Sequence, residues 1–151
     1  LWSTSDHSFD VLACAYSSDG RTLATGGKPS EWRLWSAAEG ALLACWEHED
    51  LGTLMGLPER RLERLRELVL GLAFLEGDTR LMVALGSGGH ARIEIWDLQP
   101  SPQRLHEREY DDLWLRCVAA DPGGRRARCR RSAPPPGRES ARAAWRSAQG
   151  G

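Results

Sequence analysis

The glycine-rich stretch LMVALGSGGHA has the residue spacing that comes nearest to a chemical motif in this sequence. Gly86, Gly88 and Ala91 satisfy the G-x-G-x-x-A pattern of dinucleotide-binding loops, and Asp111 follows 20 residues later. Such a loop must open a helix whose N-terminus receives the pyrophosphate. The residues that follow, RIEIWDLQP, alternate with period two and end at a proline, so they predict a strand. We expect 86–91 to connect two strands, and a nucleotide site there is the less favoured alternative.

Two groups of histidine and acidic residues could in principle bind a metal ion. They are Glu47-His48-Glu49 and His106-Glu107. Neither contains a second histidine at helical spacing, and both fall where outer strands are expected, so solvated charge is favoured. The sequence also lacks a nucleophile-elbow pattern around any serine. We therefore predict no catalytic residue, no metal ligand and no cofactor, and a protein that is not an enzyme.

The cysteine pattern bears on the compartment. The four cysteines are Cys14, Cys45, Cys117 and Cys129, and none forms a C-x-x-C pair. Their spacing indicates neither a zinc site nor a disulfide framework. We expect free, buried thiols in a reducing compartment, which places the protein inside the cell, in the cytoplasm or the nucleus.

Charge is unevenly distributed along the 151 residues, although the formal net charge is only -1. Residues 125–151 hold eight arginines and one acid, Glu139, so residues 1–124 carry a balance of -8. An acidic body repels nucleic acid, so binding to nucleic acid would have to act through the Arg-rich C-terminal segment. That segment, 123–151, is dominated by Gly, Ala, Pro, Arg and Ser, and its composition predicts disorder.

The elements that must position any site follow from an internal repeat. VLACAYSSDGRTLATGG, at 11–27, matches VLGLAFLEGDTRLMVALGSGG, at 69–89, and a third copy starts as RCVAADPGGRR. The first two copies continue into EWRLWS, at 31–36, and RIEIWD, at 92–97. Each unit therefore predicts strand, tight turn, strand, loop and strand, with room for a fourth strand after the tryptophan. Short strands at regular spacing indicate an all-β fold.

This repeat resembles that of the WD-repeat β-propeller family. Trp96-Asp97 matches its closing dipeptide, and Trp35-Ser36 is a common drift from it. Asp6-His7 stands where the family has Gly-His, and SSDG, with Asp19 and Gly20, resembles the hairpin of the family. The resemblance covers about residues 2–126.

The resemblance implies a partial propeller of four-stranded antiparallel blades. The propeller part would span 1–122, with repeats at about 6–49 and 65–113 and a third repeat from about 114. The remaining blades would belong to a longer chain. By the same resemblance the function is a non-catalytic scaffold that binds other proteins.

The resemblance also assigns structural roles to the motif residues. Asp97 would cap backbone amides in the turn after its strand. A hydrogen-bond network could join His7, Thr25 and Trp35 in the first repeat. The second repeat has Leu65 in place of the histidine, so we expect these blades to depend more on apolar packing than on buried polar networks.

An insertion at 50–68 interrupts the repeat. Pro58 can open a helix, and leucines at helical spacing follow, so a short amphipathic helix is predicted over 58–67. Leucine and arginine side chains make this insertion the candidate partner surface, namely Leu57, Arg60, Arg61 and Arg64. Interleaved glutamates favour a solvated, neutral helix over a phosphate-binding patch. No apolar run approaches the ~18 residues of a membrane span, so no membrane association is expected.

The alternation in each strand predicts which side chains are buried. Trp35 and Trp96 should be buried, and Trp32, on the other side of its strand, should be more exposed. Because a fragment of a propeller has outer blade faces without neighbours, two rows of apolar residues should lie open. These rows are Val11, Ala13 and Ala15 at one end, and Leu115, Cys117 and Ala119 at the other.

Overall fold

The computed structural model describes most of the repeat region and part of the C-terminal segment. The described residues are Ser3, 10–28, 30–46, 67–111, 113–121, Gly124 and 127–132. Residues 50–66, which include the predicted helix up to its last residue and the candidate residues Leu57, Arg60, Arg61 and Arg64, lie outside them, as does His7.

Ten strands form three antiparallel sheets. The first sheet has the order β1-β2-β3-β4, the second β5-β6-β7-β8, and the third pairs β9 with β10. The strands are β1 Val11–Tyr16, β2 Thr22–Gly27, β3 Trp32–Ser36, β4 Leu42–Trp46, β5 Leu68–Leu75, β6 Arg80–Ser87, β7 His90–Asp97, β8 Gln103–Asp111, β9 Trp114–Ala120 and β10 Ala127–Ser132. The all-β architecture and the two four-stranded repeats are those predicted.

The two complete sheets have the same register. Trp35 pairs with Leu23 in the first sheet, and Trp96 pairs with Leu81 in the second. Within the two four-stranded sheets, connections of two to five residues join consecutive strands, as the Asp and Gly residues of the repeat predict. Gly20, for example, has φ 70°, a left-handed conformation that glycine adopts without steric cost.

Two apolar cores lie between the sheets. The core between the first and second sheets is formed by Ala24, Trp32, Leu34, Val69, Leu72, Phe74, Leu81, Val83, Leu85 and Trp96. The core between the second and third sheets is formed by Ala84, Ala91, Leu113 and Leu115, with Leu70, Tyr110 and Val118 packed against them. Strands β5 and β6 of the second sheet are therefore buried on both of their faces, whereas the outer strand β8 is mostly exposed.

The innermost strands of neighbouring sheets come into close contact. A Cβ atom at Gly71 on β5 would lie 2.5 Å from Cγ2 of Val118 on β9 and 2.9 Å from its backbone nitrogen. Glycine at this position therefore permits the approach of the second and third sheets.

The prediction that Trp35 and Trp96 are buried is confirmed, since they are 1 % and 3 % exposed. The prediction for Trp32 is wrong, because its exposure is 0 %. Trp32 does lie on the opposite side of β3 from Trp35, but that side faces the second sheet. Side chains on both sides of β3 are buried, so alternation does not separate exposed from buried positions on this strand.

The predicted open rows are partly wrong for a related reason. Ala13 and Ala15 pack against the core between the first two sheets, and Leu115 is buried. The outward side of β1 instead carries Leu12 and Tyr16, which are exposed. Val11, Cys117 and Ala119 are exposed as expected.

The expectation of buried thiols is also wrong for the cysteines whose side chains are described. Cys14, Cys45 and Cys117 are free thiols and are exposed. Cys14 and Cys45 occupy the outward face of the first sheet, opposite Thr25 and Arg33 respectively. No neighbouring sheet among the described residues covers that face.

Regular secondary structure continues beyond residue 122, where the propeller was predicted to end. Strand β10 lies inside the segment 123–151, for which composition predicts disorder. Its residues pair with β9 from Ala127↔Ala120 to Ser132↔Trp114. Pairing uses backbone groups, so an Arg-rich segment can form a strand without supplying an apolar face. Residues 133–151 lie outside the described part of the chain.

Among the described residues, no helix has the length and the apolar character that are needed to cross a membrane.

Candidate functional site

The most concentrated set of charged side chains lies in the interface between the first and second sheets. Strand β7 alternates Arg92, Ile93, Glu94, Ile95 and Trp96. Its charged members and the tryptophan share the side that faces the first sheet, and Arg92 and Glu94 are both 0 % exposed. A charge at such a position is tolerated only when it is paired and hydrogen-bonded.

Five side chains satisfy this requirement together and form the inter-sheet ion network: Glu67, Arg92, Glu94, Arg104 and Glu107. Nη2 of Arg92 donates to Oε2 of Glu67 at 2.5 Å, and its Nη1 lies 3.0 Å from Glu94 and 3.2 Å from Glu107. Nη1 of Arg104 lies 2.9 Å from Glu94 and 3.1 Å from Glu107. Two arginines therefore bridge three carboxylates between β7, β8 and the residue that precedes β5.

The electrostatics of the network keep Arg92 charged. Burial alone lowers the pKa of Arg92, but the carboxylates of Glu94 and Glu67 more than offset this, so its pKa is raised above the usual value. Arg92 is therefore a fixed cation in the interface. Arg92 therefore has a structural role and not an acid–base role, since a guanidinium held in this way stays protonated near neutral pH.

Trp96 connects the network to the apolar core. Its Nε1 donates to Oε2 of Glu94 at 2.8 Å. Its ring makes edge contacts with Trp32 and Trp46, with centroids 5.2 and 5.0 Å away. The guanidinium of Arg104 lies 6.0 Å from the ring centroid, within range of a cation–π contact.

The first sheet carries a related arrangement on its outward face. Glu31, Arg33 and Trp35 occupy the positions of Arg92, Glu94 and Trp96, so the two charges are exchanged between the sheets. Nη2 of Arg33 lies 3.3 Å from Oε2 of Glu31. Nε1 of Trp35 donates to the hydroxyl of Thr25 at 2.7 Å. The second sheet has Val83 where the first has Thr25, and there the indole uses Glu94 instead.

Thr25→Val should destabilise the protein by roughly 1–3 kcal/mol, because the buried indole of Trp35 loses the acceptor of its N–H. Chemical denaturation measures this change in the free energy of unfolding. Thr22→Val is the matched control, since Thr22 lies on the same strand and is half-buried like Thr25, but is not the acceptor of the Trp35 indole N–H. Equal effects of the two substitutions would contradict the importance of the hydrogen bond.

Glu67 fixes the end of the insertion to both neighbouring sheets. Its carboxylate binds Arg92 of the second sheet, and its backbone oxygen accepts from the hydroxyl of Ser30 at 2.9 Å. Ser30 lies between β2 and β3, is 0 % exposed and has φ 59°. The chain thus leaves the insertion through a residue held by buried contacts on two sides.

The turns between the first and second strands of each sheet meet at one end of the molecule. Asp78 accepts from the backbone N–H and the hydroxyl of Ser18, at 2.8 and 2.5 Å. The N–H of Glu76 donates to the backbone oxygen of Gly124 at 3.1 Å. A cleft of about 480 Å³ opens beside these turns, lined in part by Tyr16 and Phe74.

Asp19 closes the first of these turns. Its Oδ1 accepts from the N–H of Arg21 at 2.9 Å and from the hydroxyl of Ser17 at 2.7 Å. The hydrogen bond from the backbone of Arg21, followed in importance by that from Ser17, holds the pKa of the Asp19 carboxyl below its usual value of 3.8. Asp97 acts similarly at the end of β7, where its Oδ1 accepts from the N–H of Gln99 at 3.1 Å.

Comparison with known proteins identifies the arrangement of the sheets. No family model matches the sequence, and no curated protein matches it either. Solved structures do match. A chain in a crystal structure of the mitotic checkpoint complex aligns with a TM-score of 0.62 and 19 % identity, over 86 % of this chain and 35 % of that one. The C-terminal WD40 domain of Sif2 aligns with a TM-score of 0.57 and 14 % identity, over 83 % and 32 %. The chain has the fold of a WD40 β-propeller.

A third match agrees with the first two. The β-propeller domain of Myceliophteria thermophila Cps50 (Swd1) aligns with a TM-score of 0.53 and 15 % identity, over 76 % of this chain and 30 % of that one. The chain therefore spans about a third of the length of the solved propeller chains that it matches. Its two complete sheets are propeller blades, and β9 with β10 begin a third blade.

The propeller fold decides the geometry of the glycine-rich stretch 86–91. Gly88 and Gly89 form a tight turn between β6 and β7, with φ 59° and 100°. The strand β7 begins at once with His90, so the chain does not turn into a helix there. Among the described residues, no group of three metal-binding side chains comes together.

Sequence reasoning missed the inter-sheet ion network of the second blade. The expectation that these blades depend on apolar packing more than on buried polar groups is therefore incomplete. A signal was present, since Arg92 and Glu94 share the parity of Trp96 on β7. When a charged residue lies on the same side of a packed strand as a buried tryptophan, a buried ion pair is indicated.

Proposed function

We propose that this chain is part of a non-catalytic propeller scaffold that binds other proteins. The observation that carries the proposal is the difference between two equivalent blade connections. The connection from β4 to β5 runs over residues 47–67, whereas the connection from β8 to β9 consists of residues 112 and 113. Each connection follows the last strand of a complete blade, and the two complete blades have the same strand order and pairing. The longer first connection is therefore an addition to an otherwise regular scaffold.

The place where the insertion joins the blades supports a recognition role. Glu67, at its C-terminal end, is anchored by the buried contacts with Arg92 and Ser30. A loop that starts from a rigid base presents its side chains at a defined position, and binding residues are concentrated on such loops. We propose that the partner surface includes Leu57, Arg60, Arg61 and Arg64.

We also propose an intracellular location. Three exposed thiols, at Cys14, Cys45 and Cys117, remain free. Exposed free thiols are compatible with a reducing compartment and are a liability in an oxidising one.

Deletion of residues 52–66 in the longest chain that contains this sequence tests the partner surface. Affinity capture followed by quantitative mass spectrometry should show at least one partner protein reduced roughly tenfold, which corresponds to about 1.4 kcal/mol. The melting temperature should stay close to that of the parent, because Glu67 and its buried contacts are retained. Replacement of 52–66 by an equally long Gly-Ser segment controls for the length of the connection.

The triple substitution Arg60→Ala, Arg61→Ala and Arg64→Ala separates the charged part of the surface from Leu57. If every captured partner survives both the deletion and the triple substitution, the insertion is not the partner surface. If nucleic acid is captured instead, and truncation at Gly123 abolishes its capture, the alternative function through the Arg-rich segment replaces the proposal.

A further inference from the structure

The outer edge of the first blade belongs to a complete four-stranded sheet, in which β4 is the last strand. Blades of a propeller stack face to face around a central channel, so a neighbouring blade meets the faces of this sheet and does not pair with β4. Among the described strands, none other than β3 pairs with β4. Its outer edge therefore presents backbone N–H and C=O groups at the circumference of the propeller.

The edge strands of the two complete blades differ in charge. Strand β8 has acidic or basic side chains at most of its positions, namely Arg104, His106, Glu107, Arg108, Glu109 and Asp111. The five residues of β4, LLACW, include none. Charged side chains on an edge strand oppose its pairing with another chain. The second blade therefore has this protection at its edge, and the first blade lacks it.

A bulge at the same place in both strands makes the difference local. Leu43 lies in the bulge of β4, and Leu105 lies in the equivalent bulge of β8. Leu43 is 57 % exposed and follows Leu42, which is 44 % exposed. Leu105 instead has a charged residue before it and a histidine after it. The same position thus belongs to an apolar edge in the first blade and to a charged edge in the second.

Acidic residues flank the apolar strand at both of its ends. Glu39, in the turn that joins β3 to β4, is exposed. Glu47, Glu49 and Asp50 follow the strand in the sequence. Opposite charges on neighbouring strands stabilise a sheet, and like charges destabilise it. A chain that pairs with β4 therefore needs an apolar centre and is favoured when its ends are basic.

We propose that the outer edge of β4 binds an extended segment of a partner protein in which about five apolar residues lie between basic ones. The length follows from β4, whose five residues span about 17 Å. The segment adds to the first blade as a fifth strand. Main-chain hydrogen bonds supply affinity, and the side chains that cover Leu42 and Leu43 and face the acidic ends supply specificity.

A second copy of this chain fits the edge less well than such a partner. Antiparallel pairing of β4 with itself brings Glu39 of one copy towards the acidic residues that follow β4 in the other. Like charges in these places oppose the pairing. The same acidic residues repel nucleic acid.

Two segments of the chain itself also match the edge less well. Residues 51–57, LGTLMGL, are apolar, but they contain two glycines, which weaken a strand, and no basic residue. In the Arg-rich segment, Arg142 and Arg146 enclose only two alanines and a tryptophan. Alanine is depleted in strands, so this stretch supplies a poor apolar centre.

A labelled peptide tests the proposal against the longest chain that contains this sequence, by fluorescence anisotropy. The peptide has valine and isoleucine at five central positions and two lysines at each end. We expect saturable binding. A version with glutamates in place of the lysines should bind at least about tenfold more weakly, and so should a version with N-methylated backbone amides.

Two substitutions locate the site. Leu43→Lys should weaken binding about tenfold, because it removes apolar contact and places a positive charge in the edge, and Glu39→Lys should weaken it several-fold. Leu105→Lys is the matched control, since it makes the same change in the equivalent bulge of β8. It should leave the affinity unchanged. Circular dichroism and the melting temperature establish that each variant is folded, and a misfolded Leu43→Lys leaves the test to Glu39→Lys and the peptide versions.

The proposal is overturned if the lysine-flanked peptide does not bind, if the N-methylated version binds equally well, or if Leu105→Lys weakens binding as much as Leu43→Lys. A concentration-dependent dimer that Leu43→Lys dissociates would also overturn it, since a second copy would then occupy the edge. Binding that appears only after deletion of 52–66 or of 133–151 would overturn it as well, because the chain itself would then cover β4.

The inference rests on the proposed scaffold role, but it concerns β4 and not residues 52–66. If the peptide fails to bind while deletion of 52–66 still removes a captured partner, only strand addition is wrong. If the peptide binds as expected while every captured partner survives that deletion, only the partner surface on the insertion is wrong.

Discussion

Trp96→Ala should lower the free energy of unfolding by about 3–5 kcal/mol, the range observed when a buried aromatic side chain is truncated. Trp96 is 3 % exposed and its ring contacts Trp32 and Trp46 across the boundary between the first two blades. Truncation removes both aromatic contacts and leaves a cavity between two sheets that neighbouring strands cannot easily fill. It also removes the N–H donor to Glu94. Urea denaturation followed by circular dichroism measures the loss.

Two further substitutions separate the contributions. Trp96→Phe keeps an aromatic ring in the interface but removes the indole N–H, so it should cost roughly 1–3 kcal/mol. Tyr16→Ala removes an aromatic side chain that is 62 % exposed and should change stability by less than about 0.5 kcal/mol. A Trp96→Ala protein as stable as Tyr16→Ala would show that the boundary between the blades does not depend on this ring.

The repeat and its turns could be predicted from sequence because they depend on local chemistry. Asp19 and Gly20 specify a tight turn through a side-chain acceptor and a left-handed backbone. Trp96-Asp97 marks the end of a strand in the same way, since the carboxylate accepts from the backbone of the next turn. Such signals do not depend on what packs against the strand, so the order of the strands within each sheet follows from them.

The side of each strand that meets a neighbour could not be predicted in this way. Alternation places Trp32 and Trp35 on opposite sides of β3, but both sides are buried in this fold. The same ambiguity affects Ala13 and Ala15, which lie against the next blade rather than on the outward face. The two-residue period assigns each residue to one of the two sides of a strand. It does not tell which of these sides faces which neighbouring sheet.

Composition misjudged β10 for another reason. A segment rich in arginine, alanine and proline cannot form a core by itself, and this is what the prediction of disorder measures. Residues 127–132 need no core of their own, because β9 provides the backbone partner and is itself packed on the second blade. Order is here supplied by the neighbouring strand rather than by the side chains of the segment.

Arg92→Met should destabilise the protein by about 3–5 kcal/mol, the cost of removing one partner of a buried ion pair. Methionine fills much of the volume of the arginine stem, so the loss reports the missing charge rather than a cavity. Glu67 and Glu94 then remain in the interface without the cation that lies 2.5 and 3.0 Å from them. Arg80→Met is the matched control. Its side chain is 36 % exposed and pairs at the surface with Glu76, so its loss should cost at most about 1 kcal/mol.

Neutralising the carboxylates distinguishes electrostatics from packing in the same interface. If unpaired charge causes the loss, the triple variant Arg92→Met, Glu67→Gln and Glu94→Gln should recover part of the stability of Arg92→Met, because amides are less costly to bury than carboxylates. The two glutamine substitutions made without Arg92→Met should instead destabilise the protein, since the buried charge of Arg92 would then keep only Glu107 of its three carboxylate partners. Coupling of this sign in a double-mutant cycle is the signature of a direct charge interaction. Additive effects would show that Arg92 stabilises the blade boundary through its shape alone, and the inter-sheet ion network would then have no role in holding Glu67 and the end of the insertion in place.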